Sequence, residues 1–178
     1  MSGIKLYDKT FQLFLRSEFI QQTVKKMADR ITLDLKDQNP VFISVLNGAF
    51  IFTADLMRHL HFNCHVSFVK LSTYRNDSST GTYKELIGLN EDITGRTVVI
   101  TEDIIDTGAT ITFILEKIKK NNPAEIRTAA LFLKPEACRT DIHADYIGLE
   151  VPNDFIVGYG LDYNGLGRNF KDVYKIEN

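Results

Sequence analysis

The stretch Val98–Thr110, VVITEDIIDTGAT, constrains this chain more than any other. Four apolar or β-branched residues run straight into two adjacent acids, Glu102 and Asp103. Two aliphatics follow, then Asp106-Thr107-Gly108-Ala109-Thr110, then an apolar helical pattern. A buried strand, a tight loop and a helix start are expected in that order. A helix start gathers unpaired backbone N–H groups and the positive end of the helix dipole, which makes it an anion site. Thr107 and Thr110 add hydroxyls, and Gly108 lets the backbone approach a ligand closely. Residues 106–110 alone also fit a plain helix cap. Capping does not explain two adjacent acids leaving an apolar strand; such a pair suits Mg²⁺ or sugar hydroxyls.

Rival motifs fail on inspection. No Gly-Lys-Ser/Thr triplet is present, so there is no Walker A loop. Gly158-Tyr159-Gly160 has Tyr163 where a dinucleotide fingerprint needs glycine. Asp106-Thr107-Gly108-Ala109 matches the aspartic-protease signature. That chemistry needs two carboxylates sharing a proton on a nearly all-β fold, and here the triplet leads into an amphipathic helix.

The remaining chain supplies an alternating frame. Residues up to about 16 read as an extended lead-in. Ser17 can cap a helix over 18–37, with Ile20, Val24, Met27, Ile31 and Leu35 on one face. Val41–Leu46 reads as a strand ended by Asn47-Gly48, Ala49–Leu60 as a helix with Phe52 and Leu56 inward, and Val66–Leu71 as a second strand. Val98–Thr101 is the third strand, and Ile111, Ile114, Leu115 and Ile118 mark the helix after it. Arg127–Leu133, Tyr146–Val151 and Ile156–Tyr159 read as further strands. Between them, 72–88 is polar and aperiodic, which suits a lid; a hairpin resuming at Thr82-Tyr83 is the other reading. Strands alternating with helices imply a parallel sheet covered on both faces, with ligands at the carboxyl ends of the strands. Residues 47–48, 102–110 and 134 would all lie there.

Bulk properties narrow the partners. At 178 residues, 44% hydrophobic and 25% charged, the chain is expected to form one domain over 1–178. A net charge of -2 gives no electrostatic case for nucleic acid or an anionic membrane, so any anionic substrate must be held locally. No apolar run nears the roughly 20 residues of a membrane helix, and the N-terminus lacks the pattern of a secretory signal. Cys64 and Cys138 form no CxxC pair and are expected as free thiols in the cytoplasm.

Val98–Thr110 resembles the phosphoribosyl-diphosphate (PRPP) signature of type I phosphoribosyltransferases. From about Val41 to Arg168 the chain is similar to the hypoxanthine-guanine, or 6-oxopurine, phosphoribosyltransferases. The likeness includes Leu46-Asn47-Gly48, Ser72-Thr73-Tyr74 with Ser79-Thr80-Gly81, Lys134-Pro135, and Phe155–Asn164. It implies an α/β fold with a central parallel sheet flanked by helices, a small hood built from the termini and a flexible lid over about 72–88. It also implies transfer of the phosphoribosyl group of PRPP to hypoxanthine or guanine, with Mg²⁺, in a homodimer or homotetramer.

The resemblance carries residue roles as well. Thr107, Gly108, Ala109 and Thr110, with Asp106, would bind the 5′-phosphate. Glu102 and Asp103 would hold the ribose hydroxyls and Mg²⁺. Asp106 would be the catalytic acid/base near N7 of the purine. Asn47 and Gly48 would meet pyrophosphate; the family often has Lys where Asn47 stands, which leaves the contact to the backbone, and the 46–47 peptide is often cis. Thr73 and Tyr74 would meet pyrophosphate from the lid, Thr73 keeping the hydroxyl of the more usual Ser, and Arg168 would join them. Lys134 would donate to the 6-oxo group, Phe155 would stack on the purine, Ile156 would flank it and offer its carbonyl, and Asp162 would ligate a second Mg²⁺ and border the purine. The alternative from another class is a regulatory protein on the same fold that senses PRPP or a nucleotide.

Overall fold

The computed structural model describes residues 3–74, 82–139 and 144–177. Two sheets divide the work. The larger runs in the order β5 (Thr82–Ile87), β4 (His65–Tyr74), β3 (Val41–Leu46), β6 (Thr97–Ile105), β7 (Glu125–Leu133) and β8 (Tyr146–Glu150). All its pairings are parallel except the edge pair β4–β5. The central strands explain the pattern. β3 is VFISVL and β6 is TVVITEDII, and each is buried over nearly its whole length. A strand covered on both faces carries a continuous apolar run rather than an alternating one.

Helices α1 (Ser17–Leu35) and α2 (Phe50–His59) cover one face, and α3 (Ala109–Lys119) covers the other. α1 presents Ile20, Val24, Met27, Ala28, Ile31 and Leu35 to Phe42, Val99, Leu131 and Phe132. α3 presents Ile111, Ile114 and Ile118 to Val41, Ile43, Val98 and Ile100. The spacing of three and four in each helix matches its buried stripe.

The second sheet is antiparallel, in the order β1 (Ile4–Leu6), β2 (Lys9–Leu15), β10 (Val173–Ile176), β9 (Ile156–Val157). It closes over Leu6, Phe11 and Val157 and stands at the carboxyl end of the main sheet as a hood made from both termini. In the lead-in expected up to about residue 16, residues 4–15 therefore form the β1–β2 hairpin, and the expected last strand belongs to the hood.

Three local readings change. Ser17 does not cap α1: Arg16 occupies the N-cap in extended geometry with no side-chain cap bond, and the Ser17 N–H donates instead to Asp172 Oδ1 at 2.7 Å. The cap comes from the far end of the chain. The third strand does not stop at Thr101; β6 runs on to Ile105, so both acids lie within it. In the 72–88 segment the hairpin reading applies to the strands: Thr73 pairs with Tyr83 and Tyr74 with Thr82. The tip, 75–81, lies outside the described residues, and Ser79, Thr80 and Gly81 with it. Among the described residues no helix is long and apolar enough to cross a membrane.

Candidate active site

Three adjoining hollows open at the carboxyl end of the main sheet. The first is lined by Glu102 and residues 104–111. The second lies between β3 and β4, lined by Val45, Leu46, Gly48, Leu71, Ser72, Glu102 and Thr110. The third reaches under the hood, lined by Asp103, Ile104, Asp106, Lys134, Phe155, Ile156, Leu161 and Asp162. Glu102 borders the first two, and Asp106 borders the first and third. The stretch that dominates the sequence thus lies where the hollows meet.

The first hollow is the mouth of α3. Gly108 holds the N-cap with φ 84°, a left-handed backbone that glycine adopts at no steric cost. Among the described residues no side chain caps the helix. The nearest substitute is Thr107 Oγ1, which accepts from the Ala109 N–H at 3.4 Å, a weak bond by its length. The Gly108 carbonyl is taken up inside the helix by the N–H and hydroxyl of Thr112. The first turn carries no acid, and Lys117 and Lys119 stand in the last turn, so the dipole is complemented at its negative end only. An anion fits the other end.

Glu102 and Asp103 are each only 8% exposed. Burial raises both carboxyls above the ordinary range, Glu102 well above it and further because Asp103 is beside it. Asp103 is pushed up to about 6: burial is the main cause, hydrogen bonding from the Ile104 N–H (3.0 Å) and the Arg168 charge oppose it, and Asp162 adds to it. Glu102 Oε2 is buried with no hydrogen-bond partner among the described residues. A buried carboxylate oxygen without a partner costs free energy unless a ligand meets it. Hard oxygen donors, one of them unsatisfied, fit a divalent cation such as Mg²⁺. Among the described residues no three His, Cys, Asp or Glu side chains cluster as a metal cage. An ion here would need further oxygens from substrate and water, which is how Mg²⁺ is commonly bound.

The second hollow is shaped by an absent side chain. The Leu46–Asn47 peptide is cis, Asn47 is exposed, and Gly48 lies against Asp103 so closely that a Cβ would stand 1.7 Å from Asp103 Oδ2. Thr73 and Tyr74 end β4 beside this hollow, one and two residues beyond its lining residue Ser72.

The third hollow joins an acid to a base. Lys134 follows β7, its N–H donating to the Ile105 carbonyl at 2.9 Å, and it is only 6% exposed. Its ammonium donates to Asp106 Oδ2 at 3.2 Å. A surface lysine, the default for an isolated Lys, is not what the fold makes of it. Phe155 is 44% exposed, with its ring against Phe11 and edge-on to Tyr163, while Ile156 is buried in β9. Asp162 forms an ion pair with Arg168 at 2.5 Å and accepts from the Gly165 N–H at 2.7 Å. Arg168 also donates to the Gly160 carbonyl at 2.6 Å. Two charges expected to act separately are joined.

The residues missed at the sequence level are those that hold loops together. Gly160, with φ 98°, lies so near Gly48 that a Cβ would stand 2.2 Å from the Gly48 carbonyl oxygen. Its signal was present as Gly158-Tyr159-Gly160, a pair of glycines that no nucleotide fingerprint explains. Asp55, Gln21 and Asp172 carry no local signal.

Comparison with known proteins adds an independent line. A family model described as a phosphoribosyl transferase domain matches residues 14–164. The chain is 38% identical to a hypoxanthine-guanine phosphoribosyltransferase of Aquifex aeolicus over 95% of this chain and 96% of that protein. It is 37% identical to the protein of the same name in Bacillus subtilis over 89% and 88%. Among solved structures, a hypoxanthine-guanine phosphoribosyltransferase of Bacillus anthracis superposes with a TM-score of 0.89 at 35% identity, over 93% of this chain and 98% of that one. The hypoxanthine phosphoribosyltransferase of Trypanosoma cruzi superposes with a TM-score of 0.85 at 32% identity, over 93% and 96%.

Proposed function

The chain belongs to the phosphoribosyltransferase family and has the type I fold, and from that premise we propose how its site works. The protein is a purine-salvage enzyme, a pentosyltransferase that moves the 5-phosphoribosyl group of PRPP to hypoxanthine or guanine, releasing IMP or GMP and pyrophosphate. The observation that carries the residue assignment is the meeting of the three hollows at Glu102 and Asp106.

In this reading the mouth of α3, residues 106–110, takes the 5′-phosphate by backbone N–H groups and hydroxyls rather than by a lysine. Glu102 and Asp103 take the ribose hydroxyls. The second hollow takes pyrophosphate, against Asn47, Gly48, Thr73, Tyr74 and Arg168. The purine enters the third hollow, with Phe155 and Ile156 on its faces. Lys134 donates to the 6-oxo group; an ammonium has no acceptor for a 6-amino group, so aminopurines are rejected. Asp106 receives the ring proton that the purine loses as it attacks C1′. Lys134 already donates a hydrogen bond to Asp106, so both polar groups face one edge of the purine, where the 6-oxo group and N7 lie side by side. Glu102, Asp103 and Asp162 would hold Mg²⁺, which supplies charge neutralisation for the departing pyrophosphate. The protein acts in the cytoplasm as a single-domain subunit of a homodimer or homotetramer.

A spectrophotometric assay with PRPP, Mg²⁺ and each of hypoxanthine, guanine, xanthine and adenine tests this. Nucleotide formation with hypoxanthine and guanine, and none with adenine, is expected. No product with any base would overturn it. The relatives reported are named as enzymes, and no observation favours the regulatory alternative.

A further inference from the structure

Tyr159 stands between two glycines with φ 51°, a left-handed backbone that non-glycine residues seldom adopt. Its side chain is 3% exposed. The hydroxyl donates to Asp55 Oδ2 at 2.6 Å. The Gln21 amide donates to the same carboxylate and, at 3.2 Å, to the Tyr159 hydroxyl. Gln21 lies on α1 and Asp55 on α2, so the ring tip is tied to the junction of those helices. The backbone is tied as firmly: the Tyr159 N–H donates to the Phe170 carbonyl at 2.8 Å and the Gly160 N–H to the Arg168 carbonyl at 3.0 Å. Beyond it, Gly160 lies against the Gly48 carbonyl and Gly48 against the Asp103 carboxylate, each without room for a Cβ. One contiguous stack runs from the α1–α2 junction through Tyr159 and Gly160 to Gly48 and Asp103.

We propose that Tyr159 is a positioning residue for PRPP: its hydroxyl, tied to Asp55 and Gln21, fixes the 158–160 turn and thereby the height of Gly48 over Asp103. This rests on the reading that the 47–48 loop meets pyrophosphate. Phe155 and Ile156, on the faces of the proposed purine position, are held by other means. Ile156 pairs with Lys175 in the hood, and the Phe155 carbonyl accepts from the Ile176 N–H at 2.9 Å. Loosening Tyr159 therefore disturbs PRPP more than the base.

The test compares Tyr159→Phe, Asp55→Ala and Asp55→Asn with the wild type in steady-state assays of both directions. Loss of one hydrogen bond to a charged group should raise the KM for PRPP and for pyrophosphate about tenfold in Tyr159→Phe and Asp55→Ala. The KM for the base should stay within about twofold in both. Asp55→Asn keeps an acceptor for the hydroxyl and should behave as wild type. A parallel rise in both KM values, or a lowered melting temperature with neither KM changed, would overturn the proposal. If Tyr159→Phe does not fold, Asp55→Ala and Asp55→Asn decide it by the same split. Calorimetric Kd values for PRPP make the same comparison without turnover. A wild type inactive on every base would thus sink the functional reading separately from the role of Tyr159.

Discussion

At the scale of single residues, the site gathers charges that water would normally separate. Asp106 is about half exposed at its side chain and meets a nearly buried Lys134. The exposed member can reach a substrate proton, and the buried one cannot relax away. Asp106→Asn preserves shape and removes the proposed base. Turnover should fall by roughly 10²-fold or more, in the range of general-base losses, while the KM for PRPP changes by only a few-fold; equal losses would mark Asp106 as structural. Asp103 gives a pH signature. It ionises near 3.8 as an unperturbed group and near 6 in the fold, because burial disfavours its charge. Folding therefore takes up a proton between those values, and stability falls as pH rises through that window and levels off above it. Relative to wild type without metal, Asp103→Asn should be near neutral at about pH 4 and more stable by about 3 kcal/mol near pH 7. Urea titrations at both pH values would measure this, and a constant difference would refute it.

At the scale of elements, termini and loops are set by partners distant in sequence. Ser17 heads α1 and has the composition of a cap, yet the bond at its N–H comes from Asp172. Asp172→Ala should cost about 1 kcal/mol, the usual loss of a helix N-cap, whereas Ser17→Ala should cost little; denaturant midpoints distinguish the two. β6 shows the same limit differently. The apolar run legible as a strand ends at Thr101, but pairing with β7 continues from Thr97 to Ile105 because β7 supplies the partners. Glu102 and Asp103 are buried by that extension. Composition identified them as unusual acids and placed them at a strand end. Only the ladder places them inside the strand, with one carboxylate oxygen unpartnered among the described residues.

At the scale of the whole molecule, a parallel sheet built around the buried β3 and β6 carries the mouth of α3, proposed to take phosphate, and a hood of both termini carries Phe155 and Ile156, proposed to take the base. β10 lies between β2 and β9 in the hood sheet. Ending the chain at Asp172 removes that strand. The main sheet should persist by circular dichroism and PRPP should still be bound through 106–110, while affinity for guanine falls by roughly tenfold or more as Phe155 and Ile156 lose their support. Equilibrium dialysis with each ligand would test it, and an equal loss of both would mean that hood and sheet fold as one unit.

From the sequence alone come the periodic elements, the alternation that makes the sheet parallel, and the make-up of 98–110 as a strand with two acids, a glycine turn and a helix start. Those depend on neighbours a few residues apart, where apolar spacing, glycine and paired acids act locally. Tertiary structure alone decided that Lys134 meets Asp106, that Arg168 meets Asp162, that Asp172 caps α1, and that Gly160 presses on Gly48. Each joins segments between 6 and 155 residues apart, and the deciding quantities are burial and contact distance, which exist only once the chain has packed.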